Sequence, residues 1–337
     1  MTDLPGARSH ARTHHHRDFT VADLVAAKRA SGSRVSVVLP ARDEEATVGT
    51  VAGTFVDELG QRHGLVDEVV VIDADSTDRT AEVAHAAGAR VVSQAQILPE
   101  AGHELGKGEA LWKGLAATDG DLVVFVDADI VDVDTRFVTG LLGPLLTDPR
   151  IHYVKATYDR PLDVGGQLRP TGGGRVTELL ARPLLDAFWP ELAWLAQPLS
   201  GEYAGRRDLL EALPFVRGYG VEVALLVDIV AAHGADVIAQ VDLGRRVHVH
   251  QELPALGRMA AEILHVTLDR LARQGRLVLA DPLARTLLQP TRDALGELRF
   301  DAHQVAPSEL PPLRRFRDDP GHGSGQGPAE PDGDASV

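Results

Sequence analysis

This sequence predicts an α/β fold in which a mostly parallel sheet carries helices on both faces. The first observation is a recurrence of near-continuous apolar runs of strand length: "RVSVVLPA" at 34–41, "VDEVVVIDADS" at 66–76 and "DLVVFVDADI" at 121–130. Runs of that kind belong to strands covered on both sides. The second is that segments of helical spacing alternate with them, the pattern of βαβ units. The third is composition: 44% of residues are hydrophobic but only 4% aromatic, so the core is aliphatic and suits Val-rich strands.

The elements follow in order. Residues 1–18 are polar, include the run His14–His16, and are expected to form a flexible arm. Thr20 stands where a cap belongs, ahead of the short helical stretch "VADLVAAKRA". After the strand at 34–41, "EEATVGTVAGTFVDEL" has helical spacing. After the strand at 66–76, "TDRTAEVAHAAG" is a helix closed by Gly88, and "ARVVSQ" is a third, short strand. Residues 106–120 form a helix that leads into the strand at 121–130. The second half is less regular. It offers a strand at 151–161, a glycine turn opening into a helix at 171–188, and "QPLSGEYAGRRDLLEAL" as a loop running into a helix. A helix ended by Gly234, an alternating strand "VIAQVDLGRRVHVH" and a strongly amphipathic helix at 256–274 complete it. The expected organisation is an arm at 1–18, a first half at 19–150, a second half at 151–275, a helical extension at 276–315 and a disordered Pro/Gly/acid-rich tail at 316–337.

Composition also excludes functions. A formal net charge of −15 argues against binding nucleic acid, which needs a large basic surface. There are no cysteines, hence no disulfides, thiolate nucleophiles or Cys-ligated zinc. The N-terminus lacks an apolar core, and no apolar run approaches the about 20 residues that cross a bilayer, so a cytoplasmic protein without membrane contact is expected.

In parallel sheets, ligands bind beyond the carboxyl ends of the strands. Residues 40–45, 73–76 and 127–129 all lie at such ends. Asp127 and Asp129 flank Ala128, and two hard oxygen donors suit Mg²⁺ or Mn²⁺ held together with substrate phosphates. Taken alone, the pair is equally a strand end capped by solvated acids. Lys107, between two glycines, is either a flexible cation for a diphosphate or an exposed loop lysine. "GGGRVT" puts bare N–H groups and Arg175 at a helix start, an anion site or an ordinary glycine linker. His248 and His250 share one strand face, as two metal ligands, a surface pair, or one ligand and one substrate contact.

With these motifs in view, the chain resembles nucleotide-sugar-dependent glycosyltransferases of the GT-A fold, through "VSVVLPARDEEATV", "VVVIDADSTDRT" and the DxD motif in "VFVDADI". Further on, "GKGEALWKGLAAT", "TGGGRVTELLARPLL", "QPLSGEYAGRRDLLEALPF" and "GYGVEVALLVD" resemble glucosyl-3-phosphoglycerate synthases and their mannosyl-transferring relatives, over roughly residues 20–270. The resemblance implies transfer of a hexose from a nucleoside diphosphate sugar to the 2-hydroxyl of 3-phosphoglycerate, with retention, a divalent metal (Mg²⁺ or Mn²⁺) and a homodimer. It makes 19–150 the nucleotide-sugar half and 151–275 the acceptor half.

Carried over by position, Pro40, Ala41, Arg42, Asp43, Glu44 and Asp73 line the nucleoside pocket. Lys107 reaches the diphosphate or sugar. Asp127, Ala128 and Asp129 meet sugar and metal, with His248 completing the metal site. Leu199, Gly201 and Glu202 border the hexose. Gly174, Arg175, Val176, Thr177, Tyr219, Arg246 and His250 take the acceptor, where the planar fork of Arg246 suits a carboxylate or phosphate. Glu222 polarises or anchors the acceptor hydroxyl, or else is a helix-surface glutamate.

Three positions depart from the family pattern: Arg42 and Asp43, where "ARDEE" replaces the usual "ALNEE", and His250, which stands where relatives carry Asn. The first two leave UDP-glucose, GDP-glucose and GDP-mannose open as donors. Retention without an assignable carboxylate nucleophile points to front-face attack, with positioning and charge stabilisation as the main work. A nucleotidyltransferase is disfavoured, because "PARDEEATV" has neither the glycine-rich loop nor the lysine expected after its first strand. A non-catalytic nucleotide-sugar-binding protein has little need of Asp127, Asp129 and His248 together.

Overall fold

The computed structural model describes residues 12–159, 162–164, 167–169, 174–246 and 252–317. Eight strands form one sheet: β1 (Thr13–His15), β2 (Val35–Ala41), β3 (Glu68–Asp73), β4 (Arg90–Ser93), β5 (Leu122–Phe125), β6 (Tyr153–Asp159), β7 (Tyr203–Arg206) and β8 (Ile238–Arg245). Their order is β1-β8-β6-β7-β5-β2-β3-β4. Every pairing is parallel except those of β7, which runs antiparallel to both β5 and β6. The helices are α1 (Val21–Ser31), α2 (Val48–Thr54), α3 (Thr80–Ala86), α4 (Lys107–Ala116), α5 (Arg136–Thr147), α6 (Arg182–Phe188), α7 (Arg207–Glu211), α8 (Val221–His233) and α9 (Leu253–Arg273). Among the described residues no helix is long and apolar enough to cross a membrane.

Alternation along the strands sorts side chains into two cores. Val37 and Leu39 of β2 and Val69 and Val71 of β3 pack with Leu24 of α1, Val51 of α2 and Phe137 of α5. Val38, Val70 and Ile72 point to the other face, where they join Trp112 of α4, Leu225 of α8 and Ile263 of α9. Both faces are covered, as the apolar runs require.

Three expectations need correction. The arm at 1–18 is part of the fold from Arg12 onward. β1 adds to the open edge of β8, with Thr13 opposite Gln240 and His15 opposite Asp242. Arg12 stacks over the Trp194 ring at 4.8 Å and donates to the Ala235 carbonyl. An edge strand is held by backbone groups, so its polar side chains gave no sign of it. β7 replaces a loop: "YAGR" has no apolar run, yet its short backbone fills the gap between β5 and β6.

The third correction is the extension at 276–315, which is not helical. Thr286–Arg292 and Leu298–Gln304 form an antiparallel hairpin, Glu309–Leu310 pairs with Phe215–Val216, and only Arg314–Arg317 makes a helical turn. Pro290 opposes a helix there. The Asp293 carboxylate accepts from the Leu295 and Glu297 N–H groups at 3.0 Å each, fixing a turn instead.

Arg270 ties this extension to the body. Buried on α9, it makes a two-pronged contact with Asp228 of α8 at 2.9 Å each and also bonds Glu309. Arg270→Met is expected to destabilise the protein by about 3 kcal/mol in denaturant titration, because it strands the Asp228 carboxylate. A midpoint unchanged from the parent would show that the two acids find other partners.

Candidate active site

The carboxyl ends of β2, β3 and β5 open onto a cavity of about 480 Å³. Pro40, Ala41, Arg42, Glu44, Lys107, Asp127, Ala128, Asp129 and Tyr219, all singled out from sequence, line it. Sequence reading missed Ala74, Leu105, Gly106, Gly218 and Glu262 in the same wall. Glu262 lies on α9 and accepts from the Tyr219 N–H at 2.8 Å, and burial pushes its carboxyl upward. Its only signal in the sequence is an acid on an amphipathic helix, which is usually a solvated position.

β5 ends at Phe125, so Asp127 and Asp129 sit where the chain has left the sheet. Lys107 Nζ lies 2.8 Å from Asp127 Oδ1 and 3.3 Å from Glu222 Oε1. Arg246 Nη2 lies 3.2 Å from Asp127 Oδ2, 2.9 Å from Asp129 Oδ1 and 3.0 Å from Glu202 Oε1. Tyr158 donates to the second Glu202 oxygen at 2.5 Å. Burial alone would lower the Lys107 pKa, but the Asp127 and Glu222 carboxylates outweigh it and raise it. Asp129 is pushed upward, by burial first and by Asp127 next. Glu44 moves the same way, through burial and the charge of Asp129.

This donor set fits a divalent cation. Both Asp127 oxygens are engaged by cations, whereas the Asp129 side chain, 41% exposed, lines the cavity and meets Arg246 through Oδ1. A carboxylate whose ionised form is disfavoured by burial and a like charge gains most from a hard cation beside it. Among the described residues no group of three or more His, Asp or Glu is placed to hold a metal. His248 and His250 lie outside the described residues.

Several assignments change in character. Lys107 is not a flexible cation. Gly106 and Gly108 are needed for close packing, since a Cβ on them would lie 2.3 Å from the Arg217 carbonyl oxygen and 1.7 Å from that of Val216. Glu109, fully buried, pairs with Lys113 at 3.0 Å and with Arg217, locking the start of α4. Glu222 is not on a helix surface: it is 4% exposed and faces Lys107. Arg246 is 4% exposed, and its Nη2 meets all three carboxylates, Asp127, Asp129 and Glu202.

Glu202 is buried beneath Arg246 and does not line the cavity. Neither does Gly201, but its backbone packs directly against Asp127 and Lys107. Leu199 packs against the core. Asp43 faces the neighbouring loop, where it accepts from the Thr77 N–H at 2.7 Å, and Asp73 accepts from Ser76 at 3.4 Å. Gly174, Arg175, Val176 and Thr177 stand at the entry to the helical stretch before α6, outside this cavity, with Gly174 at φ 72°.

Residues 36–212 match the family model described as glycosyl transferase family 2. A glucosyl-3-phosphoglycerate synthase from Mycolicibacterium smegmatis is 54% identical over 252 residues, covering 75% of this chain and 82% of that protein. Two solved structures agree in fold. The mannosyl-3-phosphoglycerate synthase from Rubrobacter xylanophilus superposes with a TM-score of 0.84 at 38% identity, over 91% of this chain and 97% of the other. The glucosyl-3-phosphoglycerate synthase from Mycobacterium tuberculosis, in complex with Mn²⁺, UDP-glucose and phosphoglyceric acid, gives 0.78 at 45% identity, over 90% and 98%. The GT-A architecture implied by the motifs is thus borne out. With identity at this level reaching past the shared donor half into the region after β6, the chain belongs to the glucosyl-3-phosphoglycerate synthase family of the family 2 glycosyl transferases.

Proposed function

We propose that this protein transfers glucose from UDP-glucose to the 2-hydroxyl of 3-phosphoglycerate, with retention of configuration, in the presence of Mg²⁺ or Mn²⁺. The observation that carries this reading is the relative solved with Mn²⁺, UDP-glucose and phosphoglyceric acid at 45% identity. Here its donor would meet a cavity rimmed by Asp127, Asp129 and Lys107. When bound, the divalent ion offsets the charge of the diphosphate, and Asp129 and His248 are the residues that would hold it. Lys107, pinned between Asp127 and Glu222, presents a fixed ammonium to the same diphosphate. Pro40, Ala41 and Glu44 border the nucleoside, and Gly174–Thr177 with Tyr219, Arg246 and His250 serve the acceptor. Arg246 meets all three of its carboxylates through Nη2, and its buried Nε–H has no partner among the described residues, so the guanidinium keeps donor capacity for the acceptor.

The test is product formation with 3-phosphoglycerate, comparing UDP-glucose, GDP-glucose and GDP-mannose, with and without EDTA. A phosphorylated glucoside from UDP-glucose, lost with EDTA and restored by Mg²⁺ or Mn²⁺, is expected. Product from GDP-mannose alone would reassign the donor. Absence of product from all three would overturn the acceptor. The reading includes a cytoplasmic setting, consistent with the lack of cysteine, and a homodimer. Leu288, Leu298 and Phe300, each more than half exposed on one face of the hairpin, supply an apolar surface for a second copy, and light scattering measures its presence.

A further inference from the structure

Lys155 is the most deeply buried lysine whose charge nothing above uses. It lies on β6, is 1% exposed, and packs against Tyr203, whose ring also meets those of Tyr153 and Phe125. Its ammonium sits 4.5 Å over the Tyr203 ring and donates to the Ser200 carbonyl oxygen at 2.7 Å. Burying a cation is costly unless it is paired or bonded, so what it holds matters.

What it holds is the strap that precedes β7. Ser200 Oγ donates to the Ala156 carbonyl at 2.7 Å, and the Ala156 N–H donates to the Glu202 carbonyl at 3.0 Å. Together with the Lys155 bond, these clamp residues 200–202 onto β6. Between the clamps lies Gly201, packed so closely that an added Cβ would come within 2.1 Å of Asp127 Oδ2 and 2.6 Å of Lys107 Nζ.

We propose that Lys155 is a positioning residue for sugar transfer: through Ser200 it seats the Gly201 backbone against Asp127 and Lys107 and so fixes where those two charges point. The proposal rests on the transfer reaction set out above. Around the Lys155 ammonium stand Glu222 of α8, Lys107 of α4, Glu202 ahead of β7 and Asp127 after β5, so it also adds a third cation to a cluster rich in carboxylates. Burial lowers its pKa to about 7, with Glu222 opposing and Lys107 assisting. The hydrogen bond survives that titration, because a neutral amine still donates to Ser200.

The experiment compares wild type, K155M and K155Q by kcat, by melting temperature, and by calorimetric affinity for UDP and for UDP-glucose in Mg²⁺. In K155M, kcat is expected to fall roughly 10- to 100-fold, as for a small misplacement of reacting groups, while UDP affinity stays within about threefold. K155Q keeps a donor for the Ser200 oxygen and is expected to recover to within about fivefold of wild type. A kcat for K155M within about twofold of wild type overturns the proposal, as does a K155Q no better than K155M. So does loss of UDP and UDP-glucose affinity in parallel with melting temperature, which would make Lys155 a packing residue. If K155M does not fold, K155Q decides by the same fivefold margin, and failure of both to fold also overturns it. A wild type that binds UDP-glucose without turnover would sink the transfer reaction instead. The ratio of UDP-glucose to UDP affinity then reads Lys155, falling in K155M if it positions the site and unchanged if it does not.

Discussion

Asp129→Ala is expected to lower turnover of UDP-glucose and 3-phosphoglycerate by roughly a hundred- to a thousandfold, the scale for removing one charge-stabilising group from a transfer site. The side chain is 41% exposed and, among the described residues, is bonded through Oδ1 to Arg246 alone, while Arg246 keeps Asp127 and Glu202. The fold should therefore tolerate the change, and the melting temperature should move by only a few degrees. Metal dependence should shift with it: the concentration of Mg²⁺ giving half-maximal activity rises in Asp129→Asn, which keeps shape but not charge. Turnover within about threefold of wild type in the alanine variant would remove Asp129 from the site's chemistry.

Gly201→Ala adds one methyl group at a place with no room for it. The new Cβ would lie 2.1 Å from Asp127 Oδ2 and 2.6 Å from Lys107 Nζ. Neither group can withdraw cheaply: Asp127 is held from both sides by Lys107 and Arg246, and Lys107 is held by Glu222. The wall or the charges must shift, and kcat/KM is expected to fall about a hundredfold. Gly53→Ala is the control, because its Cβ meets only Ala87 Cβ at an ordinary 3.8 Å. It should leave activity unchanged. Equal activity in both variants would mean that the contact at Gly201 relaxes without consequence for the reacting groups.

Legibility varied with how local the cause is. β2, β3 and β5 could be read because burial on both faces demands continuous apolar runs, and those runs are in the chain itself. The DxD pair and the loops at 40–45 could be placed because strand ends in a parallel sheet converge. The edge strand β1 could not, since its partners are backbone groups of β8 more than two hundred positions away. Nor could β7, which is antiparallel between parallel neighbours and carries a glycine. The hairpin at 286–304 departs from the expected helical extension because Pro290 opposes a helix and the Asp293 turn pairs the two strands.

The site shows the same division. Composition and periodicity were enough to set the architecture and the strand-end location, because each residue's own preference for burial acts along a few neighbouring positions. Motif resemblance added the reaction. That Gly106 and Gly108 serve close contact and not flexibility, that Glu222 and Arg246 turn inward, that Glu262 lines the cavity and that Lys155 bonds the Ser200 carbonyl came from the folded arrangement. Those facts are distances between segments far apart in the chain. The strength of a charge pair depends on such distances and on how much water remains between the partners, neither of which exists before the chain has folded.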